Sequence, residues 1–388
     1  MKSTYKRLGD YIRQVDVRNR DEKVTRLLGV SIDKKFIESI ANTIGTDMSV
    51  YKIVRYGQFA YGPVTSRNGD KVSIALLTEA ECIISSSYTV FEVIDKKVLL
   101  PEYLMLWFMR PEFDRYARFH SHGSAREIFD WEEMCNVELP IPPIEEQQKI
   151  VDAYETIERR IALKRKINEN LEAQAKSVFN EQFGVYYSKN ILPEGWKLIK
   201  LEDVCSIKGG KRLPADCELT DKHTNHPYIR VRDVGQSRYV CLNNEFQYID
   251  DYTYNQISRY IVKTDDVIIS IVGTIGLLGK IHNSLNGANL TENCVRLTDM
   301  RLITSDYLYY TLLYKKQIRE IDLLTVGAVQ AKLPIYNIQS MPIILPSKEY
   351  LIAFQSVLAV INQRVEKNTI EIEMLEELKL ATLTKLSC

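Results

Sequence analysis

The feature that most constrains the fold is a long stretch, residues 140–183, with the composition of one continuous helix. Three prolines, Pro140, Pro142 and Pro143, open this stretch, and no proline or glycine interrupts it afterwards. Glu, Gln, Lys, Ala and Leu dominate it, and these residues lose little free energy in a helix. At about 1.5 Å per residue, the roughly 40 residues from Ile144 onward would form a rod about 60 Å long. The core of an ordinary globular domain does not need a helix of that length.

A second stretch of the same kind ends the chain, in residues 345–386. Pro142 and Pro346 are 204 residues apart, and the same offset relates Leu171 to Leu375. Self-similarity at a fixed offset indicates an internal repeat. The sequence therefore predicts two long helices that arose by duplication.

Both copies carry seam positions spaced alternately by three and four residues, which is typical of a coiled coil and not of a broader helix face. In the central copy these positions are Gln147, Ile150, Tyr154, Ile157, Ile161, Lys164, Asn168 and Leu171. In the C-terminal copy they are Leu351, Phe354, Leu358, Ile361, Val365, Asn368, Ile372 and Leu375. Polar side chains at matching layers cost stability and fix register. We expect the two helices to pair with each other; the alternative is two amphipathic helices, each packed on its own domain.

The segments before the two helices share one plan. Each reads as a mixed α/β domain, and Tyr103 and Leu104 in the first fall on Tyr307 and Leu308 in the second at the same offset. The predicted fold class is α+β, with two repeated mixed α/β domains separated by two long helices that form an antiparallel coiled coil, pseudo-two-fold symmetric. The predicted boundaries are a first domain over 1–139, a central helix over 140–185, a second domain over 186–344 and a C-terminal helix over 345–388.

Composition narrows the class of protein without naming a function. The chain has 51 basic and 51 acidic residues, so a strong overall positive charge is not what would bring it to nucleic acid. Its seven cysteines form no Cys-x-x-Cys pair, which disfavours a zinc ribbon and a disulfide framework. The first residues contain no apolar secretion segment, and the most apolar run, residues 267–279, is too short to span a bilayer. We expect a cytoplasmic protein without membrane contact.

Motifs for catalysis are weak throughout the chain. The glycine-rich run at residues 273–280 resembles a phosphate loop, but Ile281 stands where Ser or Thr is required. Two histidine pairs, at residues 120 and 122 and at 223 and 226, have no obvious third ligand for a metal. No nucleophile–base pair and no methyltransferase motif of the Asp-Pro-Pro-Tyr type was found. We predict a recognition and scaffold protein that is not itself an enzyme and holds no cofactor or metal.

Polar and basic loops recur inside the two domains, and their side chains are of the types that contact base edges and phosphates. The candidate DNA-contacting residues are Ser66, Arg67, Asn68, Lys71, His122, Ser124, Arg126, Lys208, Lys211, Arg212, Arg230, Arg232, Thr274, Lys280, Gln330 and Lys332. Any one of these loops could be a simple solvated turn. Their recurrence at corresponding places favours DNA binding.

The order of these features resembles the specificity subunits of type I DNA restriction–modification systems over essentially the whole chain. The resemblance is carried by the Pro-Pro-Ile-Glu-Glu-Gln helix entry at residues 142–147 and a weaker copy at 345–349. It is also carried by the segments at 123–129 and 327–333 that precede each helix, and by the strand-and-glycine-turn segments at 57–61 and 265–276. The sequence departs from the pattern in two places: the second helix entry lacks Glu-Glu-Gln, and Gln58 stands where the pattern has Asp.

The resemblance implies a set of roles and partners. Two target-recognition domains would each read one half of a split double-stranded DNA site. The helices would dock modification (methyltransferase) subunits, two of them, which bind S-adenosylmethionine; restriction subunits would join the complex. The helices would also set the spacing of the half-sites, so that about four added residues lengthen a helix by about 6 Å, close to two base-pair steps. The alternatives are a coiled-coil adaptor with two protein-binding domains and, less favoured, a self-contained methyltransferase or nuclease.

Overall fold

The computed structural model describes residues 5–39, 45–66, 68–69, 71–123, 126–189, 191–243, 245–327 and 331–386. In chain order, the strands β1–β20 are Tyr5–Arg7, Ile12–Val15, Leu28–Val30, Phe36–Glu38, Lys52–Val54, Gln58–Tyr61, Ile74–Leu76, Cys82–Ile84, Thr89–Val93, Glu138–Pro140, Lys197–Lys200, Ser206–Gly209, Pro227–Ile229, Tyr239–Val240, Gln247–Tyr248, Val267–Ser270, Leu278–Ile281, Asn289–Leu290, Cys294–Thr298 and Pro342–Leu345. The helices α1–α11 are Pro101–Phe108, Pro111–Phe119, Trp131–Asn136, Ile144–Phe179, Val185–Lys189, Leu201–Val204, Asp251–Ile257, Ser305–Gln317, Glu320–Leu323, Ile335–Gln339 and Lys348–Lys385.

Two compact units make up the chain, and both long helices contribute to both. The first unit comprises residues 1–165 together with 369–388, and the second comprises residues 166–368. Each unit therefore contains one α/β domain, part of the central helix α4 and part of the C-terminal helix α11. The predicted long helices are present, and α4 begins at Ile144 directly after the proline cluster.

The first unit is built around an antiparallel sheet with the strand order β2-β9-β6-β7. Strand β6 lies inside this sheet, and its residues are all buried, as expected for a strand covered on both faces. Phe59 of β6 and Phe91 of β9 stack with ring centres 4.8 Å apart. Helix α1 covers these rings, with the Phe108 ring edge-on to Phe59. Pro101 stands in the first turn of this helix, where its missing N–H costs nothing.

The second unit repeats this plan with a sheet of order β12-β19-β16-β17-β14. Strand β16 occupies the place of β6 and is likewise fully buried. Helix α8 covers the sheet, and the Thr304 hydroxyl caps it by accepting a hydrogen bond from the Tyr307 N–H over 3.2 Å. A second, smaller sheet of order β15-β13-β18 lies in the same unit.

In each unit the start of the domain is bound to the strand that leads into a long helix. In the first, β1 pairs antiparallel with β10, with Tyr5 opposite Pro140. In the second, β11 pairs antiparallel with β20, with Lys197 opposite Leu345. The sequence repeat predicts the equivalence of the domain starts, but these two strand pairs were not foreseen, because each strand is only three or four residues long.

Within the first unit, the beginning of α4 packs antiparallel against the end of α11. Ile157 and Ile161 of α4 form one buried cluster with Leu375 and the partly buried Ile372 of α11. Nearer the start of α4, the seam positions Ile150 and Tyr154 join the domain core, which also includes Leu383 of α11 and Leu386 just after that helix. Lys164 pairs with Glu371 over 2.7 Å at the polar layer of this seam.

Within the second unit, the end of α4 packs antiparallel against the beginning of α11. The seam positions Leu171, Phe354, Leu358, Ile361 and Val365 all belong to one core cluster with the domain. The helix does not leave the domain at its far end: Phe179 and Phe183 are fully buried against Tyr307 and Phe354. Within each unit the two long helices therefore pair with each other and also pack on the domain, so helix pairing and docking on the domain occur together.

The apolar run at 267–279 is a buried strand, β16, followed by a turn into β17 and not a phosphate loop. None of the helices in the described part of the chain is long and apolar enough to cross a membrane.

Candidate nucleic-acid interface

In the first domain, the structure brings the two predicted polar loops together. Val64 and His122 both form β-bridges with Ile128, so the described residues of the loop at 63–71 lie beside the described residues of the loop at 120–129. The Thr65 N–H donates to the Glu127 carbonyl over 3.0 Å, which ties the loops further. Distant parts of the sequence thereby form one polar surface.

Several of the predicted contact residues lie on this surface. Ser66, Lys71, His122 and Arg126 are exposed and Asn68 is partly buried. Arg67 and Ser124 fall outside the described residues. The His122 imidazole lies 3.9 Å from Glu133, whose carboxylate is 3.1 Å from His120. No group of three His, Cys, Asp or Glu side chains suited to a metal occurs among residues with a described position.

The second domain contains the same pair of loops. Val272 and Val326 both form β-bridges with Lys332, which stands at the position equivalent to Ile128. The backbone continues the parallel: the Leu333 N–H donates to the Ile271 carbonyl over 2.9 Å, as Phe129 does to Pro63 over 2.8 Å. The same loop pair in both domains indicates that the two domains have the same kind of function.

The exposed residues of the second loop pair include two of the predicted contacts, Thr274 and Lys332. Gln330 lies outside the described residues. Thr274 occupies the place that Ser66 has in the first domain, and Val326 replaces His122. The two loops are thus held together in the same way in both domains, while the side chains that they expose differ.

A second group of predicted residues lies along the edge strand β12 and the turn after it. Lys208, Lys211 and Arg212 are exposed there. Arg212 pairs with Glu292 over 2.8 Å and Lys208 with Asp299 over 3.4 Å. The Glu292 pairing raises the pKa of Arg212 through a side-chain hydrogen bond. These ion pairs are solvent-exposed and weak enough to be exchanged for phosphate contacts.

Arg230 and Arg232 belong to a different surface patch. The Arg230 side chain is mostly buried and pairs with Asp233 over 3.2 Å. Arg232 is exposed and lines a polar pocket together with Asp233, Gln236, Asn243 and Glu245. Arg232 can therefore contact a ligand directly, whereas Arg230 holds the loop in shape.

The prediction that Lys280 contacts DNA is wrong. Its side chain is only 2% exposed, and its ammonium group pairs with Asp306 of α8 and, over 3.1 Å, with Asp265. A lysine enclosed and neutralised in this way does not offer its charge to a phosphate. Lys280 is instead part of a buried ion cluster inside the second unit.

The sequence pattern predicts neither that cluster nor the role of Gln147. Gln147 is fully buried, donates to the carbonyls of Val98 and Pro142 over 2.8 Å each, and accepts from the Leu100 N–H over 2.9 Å. The amide thus anchors the first domain to the start of α4. The sequence gives one indication of this role: a glutamine stands at a seam position where an apolar residue is expected.

Comparison with known proteins agrees with this geometry. The family model described as the type I restriction modification DNA specificity domain matches the chain twice, over residues 33–173 and 193–381. The two matches cover most of the chain and correspond to the repeat found in the sequence.

Two curated relatives are specificity subunits of type I restriction enzymes. The MjaIX subunit of Methanocaldococcus jannaschii is 24% identical over 76% of this chain and 70% of its own length. The HindI subunit of Haemophilus influenzae is 20% identical over 92% of each chain.

Two solved structures share the fold. A type I restriction–modification system S subunit from M. genitalium matches 99% of this chain and 95% of its own, with a TM-score of 0.53 and 15% identity. A chain from a study of complex assembly and conformational transition in a type I system matches 99% of this chain and 97% of its own, with a TM-score of 0.51 and 18% identity. The repeated domains, the paired long helices and the twofold family match lead to one conclusion: this chain belongs to the family of type I restriction–modification specificity subunits, the non-catalytic DNA-recognition subunits of these systems.

Proposed function

We propose that the chain recognises a split double-stranded DNA site, with one half read by each α/β domain. The observation that carries this proposal is the repeated loop pair. Both domains hold two loops side by side through equivalent bridges, at Ile128 in one and Lys332 in the other. Because the same loop pair occurs in both domains, each domain could contact one half-site in the same way.

The side chains on the two frameworks support different base preferences. Ser66 and His122 of the first domain correspond to Thr274 and Val326 of the second. Sequence is read through hydrogen bonds and apolar contacts to base edges, so a change from His to Val alters what a loop can recognise. The exposed Lys71, Lys208 and Lys211 would contact phosphates, which position the protein without reading sequence.

We further propose that the long helices dock two modification subunits, and that restriction subunits join through them. In the first unit, Ile370, Met374 and Leu378 lie four residues apart on α11 with 45%, 63% and 51% exposure. This spacing places them on one helix face. An exposed apolar row on a helix is typical of a protein-binding surface.

S-adenosylmethionine would be bound by the modification subunits, and adenine methylation would take place there. The residues of this chain would bind and orient the DNA. We place the complex in the cytoplasm, where the DNA of a bacterial or archaeal cell is accessible.

The experiment that tests the proposal measures DNA affinity of the complex between this chain and its modification subunits at increasing salt. A DNA reader loses affinity steeply as salt rises, because phosphate contacts release bound counterions. Methylation confined to a split sequence, found by methylome sequencing, would support the proposal. An adaptor that joins two proteins would show neither salt-dependent DNA affinity nor a methylated split sequence.

A further inference from the structure

A buried ion cluster links the second recognition domain to the helix pair inside the second unit. Its centre is Asp306, at the start of α8, whose carboxylate pairs with the guanidinium of Arg238 and the ammonium of Lys280. The side chains of all three residues are at most 5% exposed. Arg238 precedes the edge strand β14 and Lys280 lies on β17, so both cations come from the large sheet.

The remaining partners come from the two long helices. From α11, the amides of Gln355 and Asn362 donate to Asp306 Oδ2 over 3.1 and 3.3 Å. Asn362 also accepts from Arg238 over 2.7 Å. From α4, Glu172 lies 3.5 Å from Arg238. The cluster thus joins the sheet, the covering helix and both long helices at one point.

Tyr310 of α8 completes the connection. Its hydroxyl accepts from Arg238 over 3.2 Å and donates to Glu172 over 3.0 Å. The Arg238 guanidinium also lies 5.3 Å from the centre of the Tyr310 ring, close enough for a cation–π contact. Tyr310 thus connects Arg238, next to the edge strand of the sheet, to Glu172 of α4.

Two polar positions of this cluster are apolar in the first domain. With the offset of 204 residues, Tyr310 corresponds to Leu106 and Gln355 to Val151, and both of these are buried apolar residues. There, Gln147 binds backbone groups of the domain. The contacts that Tyr310 and Gln355 make in the second domain therefore cannot be made by the residues at these two positions of the first domain.

Apolar contacts between a domain and a helix pair tolerate small rotations, because the hydrophobic effect has no preferred direction. Hydrogen-bonded ion pairs lose their stabilisation when the angle or distance changes, and an unpaired charge in this position is costly. A charged cluster therefore selects one orientation among several that apolar packing would accept.

We infer that Arg238, Lys280 and Asp306 are positioning residues that hold the second recognition domain at one orientation on the helix pair, and so restrict the DNA spacer length that the protein accepts. The inference rests on the proposed function. These residues do not contact DNA; they act through the domain that they orient.

The test uses the complete complex of this chain with its modification subunits. Methylation rates are measured on the split site identified by methylome sequencing and on versions with one base pair added to, or removed from, the spacer. The Asp306→Asn variant should methylate the native site while its preference for the native spacer falls by about tenfold, equivalent to the loss of a modest coupling free energy. The bases recognised in both half-sites should stay the same, which a general loss of structure would not produce.

Two further variants keep the inference falsifiable. Asn362→Leu removes a neutral partner of Asp306 and should relax the spacer preference in the same direction if Asp306→Asn fails to fold. Lys315→Gln is the matched control, because Lys315 is buried in an ion pair with Glu320 in the same unit without joining the cluster; it should keep the wild-type preference.

A folded Asp306→Asn or Asn362→Leu complex with the wild-type spacer preference would overturn the inference and leave the proposed function standing. An equal relaxation in Lys315→Gln would also overturn it, because any buried charge would then suffice. A wild-type complex that methylates no split site would overturn the proposed function, and the inference with it.

Discussion

The side-chain amide of Asn368 on α11 donates a hydrogen bond to Oδ1 of Asn168 on α4, over 2.7 Å. Asn368 is only 1% exposed, so this polar contact lies within the apolar seam of the second unit. A paired polar layer lowers stability relative to an apolar one but disfavours other registers, because a shift would leave both amides without partners.

We predict that Asn368→Leu lowers the free energy of unfolding by about 1–3 kcal/mol, since it leaves the Asn168 oxygen facing an apolar side chain. The double variant Asn168→Leu/Asn368→Leu should recover all of that loss or exceed it, because an apolar layer is more stable than a paired polar one. Urea unfolding curves of the two variants test this. Lys367→Gln, an exposed change one residue away, serves as the control and should shift stability by about 0.5 kcal/mol or less. A double variant no more stable than Asn368→Leu would contradict the account.

The buried carboxyl of Asp306 predicts a specific pH dependence. Burial alone would raise its pKa, but the charges of Lys280 and Arg238 outweigh burial and lower the pKa from 3.8 to about 2. A carboxyl with a lowered folded-state pKa stabilises the fold above its unfolded value, and this stabilisation is lost as the pH falls from about 4 to about 2. The contribution is about 2 kcal/mol.

Urea unfolding at several pH values between about 5 and about 2 measures this dependence. Wild type should lose about 2 kcal/mol more than Asp306→Asn across that range. Asp250→Asn is a suitable comparison, because Asp250 lies in the same unit, where it caps α7 and is not a cluster member. This variant keeps Asp306 and should therefore keep the loss of about 2 kcal/mol that Asp306 causes. Equal losses in wild type and Asp306→Asn would show that Asp306 does not carry the effect.

The sequence predicts the seam positions of the long helices but not the polar contacts that fix the domains. The 3–4 spacing identifies Ile157, Ile161 and Leu375 as seam positions, because a helix period fixes which residues share a face. It does not reveal the Gln147 amide bonds to Val98 and Leu100, since those backbone groups are nearly fifty residues away in the sequence. Lys280 shows the same limit: a lysine beside a glycine turn suggests exposure, and only the fold places it against Asp306.

The sequence predicts which loops are polar but not which loops lie side by side. Polar composition and repetition identify the segments around Asn68 and Arg126. The bridge from His122 to Ile128, and its counterpart from Val326 to Lys332, joins segments whose pairing no local pattern encodes. Short strands and isolated bridges carry too few residues to give a periodic signal.

A phosphate-contacting role for Lys211 predicts a change in salt dependence. Lys211→Gln should weaken DNA binding to all sequences similarly and reduce the slope of log affinity against log salt by about one. Fluorescence anisotropy titrations at several salt concentrations measure that slope. Lys166→Gln is the control, because Lys166 is an exposed lysine on α4 that pairs with Glu169. A slope unchanged by Lys211→Gln would remove this residue from the proposed interface.

The exposed apolar row on α11 predicts where a modification subunit binds. Met374→Asp should weaken the complex about 30-fold or more, since a charged group would replace an apolar contact at the centre of the row. The dissociation constant of the specificity–modification complex is the quantity to measure. Glu373→Gln, an exposed change at the neighbouring position, should leave it unaltered. Full affinity in Met374→Asp would exclude this helix face as the docking surface.

If the two domains read separate halves of one DNA site, exchanging a single domain should change one half-site alone. Residues 1–139 would be replaced by the first recognition domain of another specificity subunit, and the methylated sequences in cells would be determined by methylome sequencing. We expect a new sequence in one half-site, with the other half-site unchanged. Alteration of both half-sites by this single exchange would contradict it.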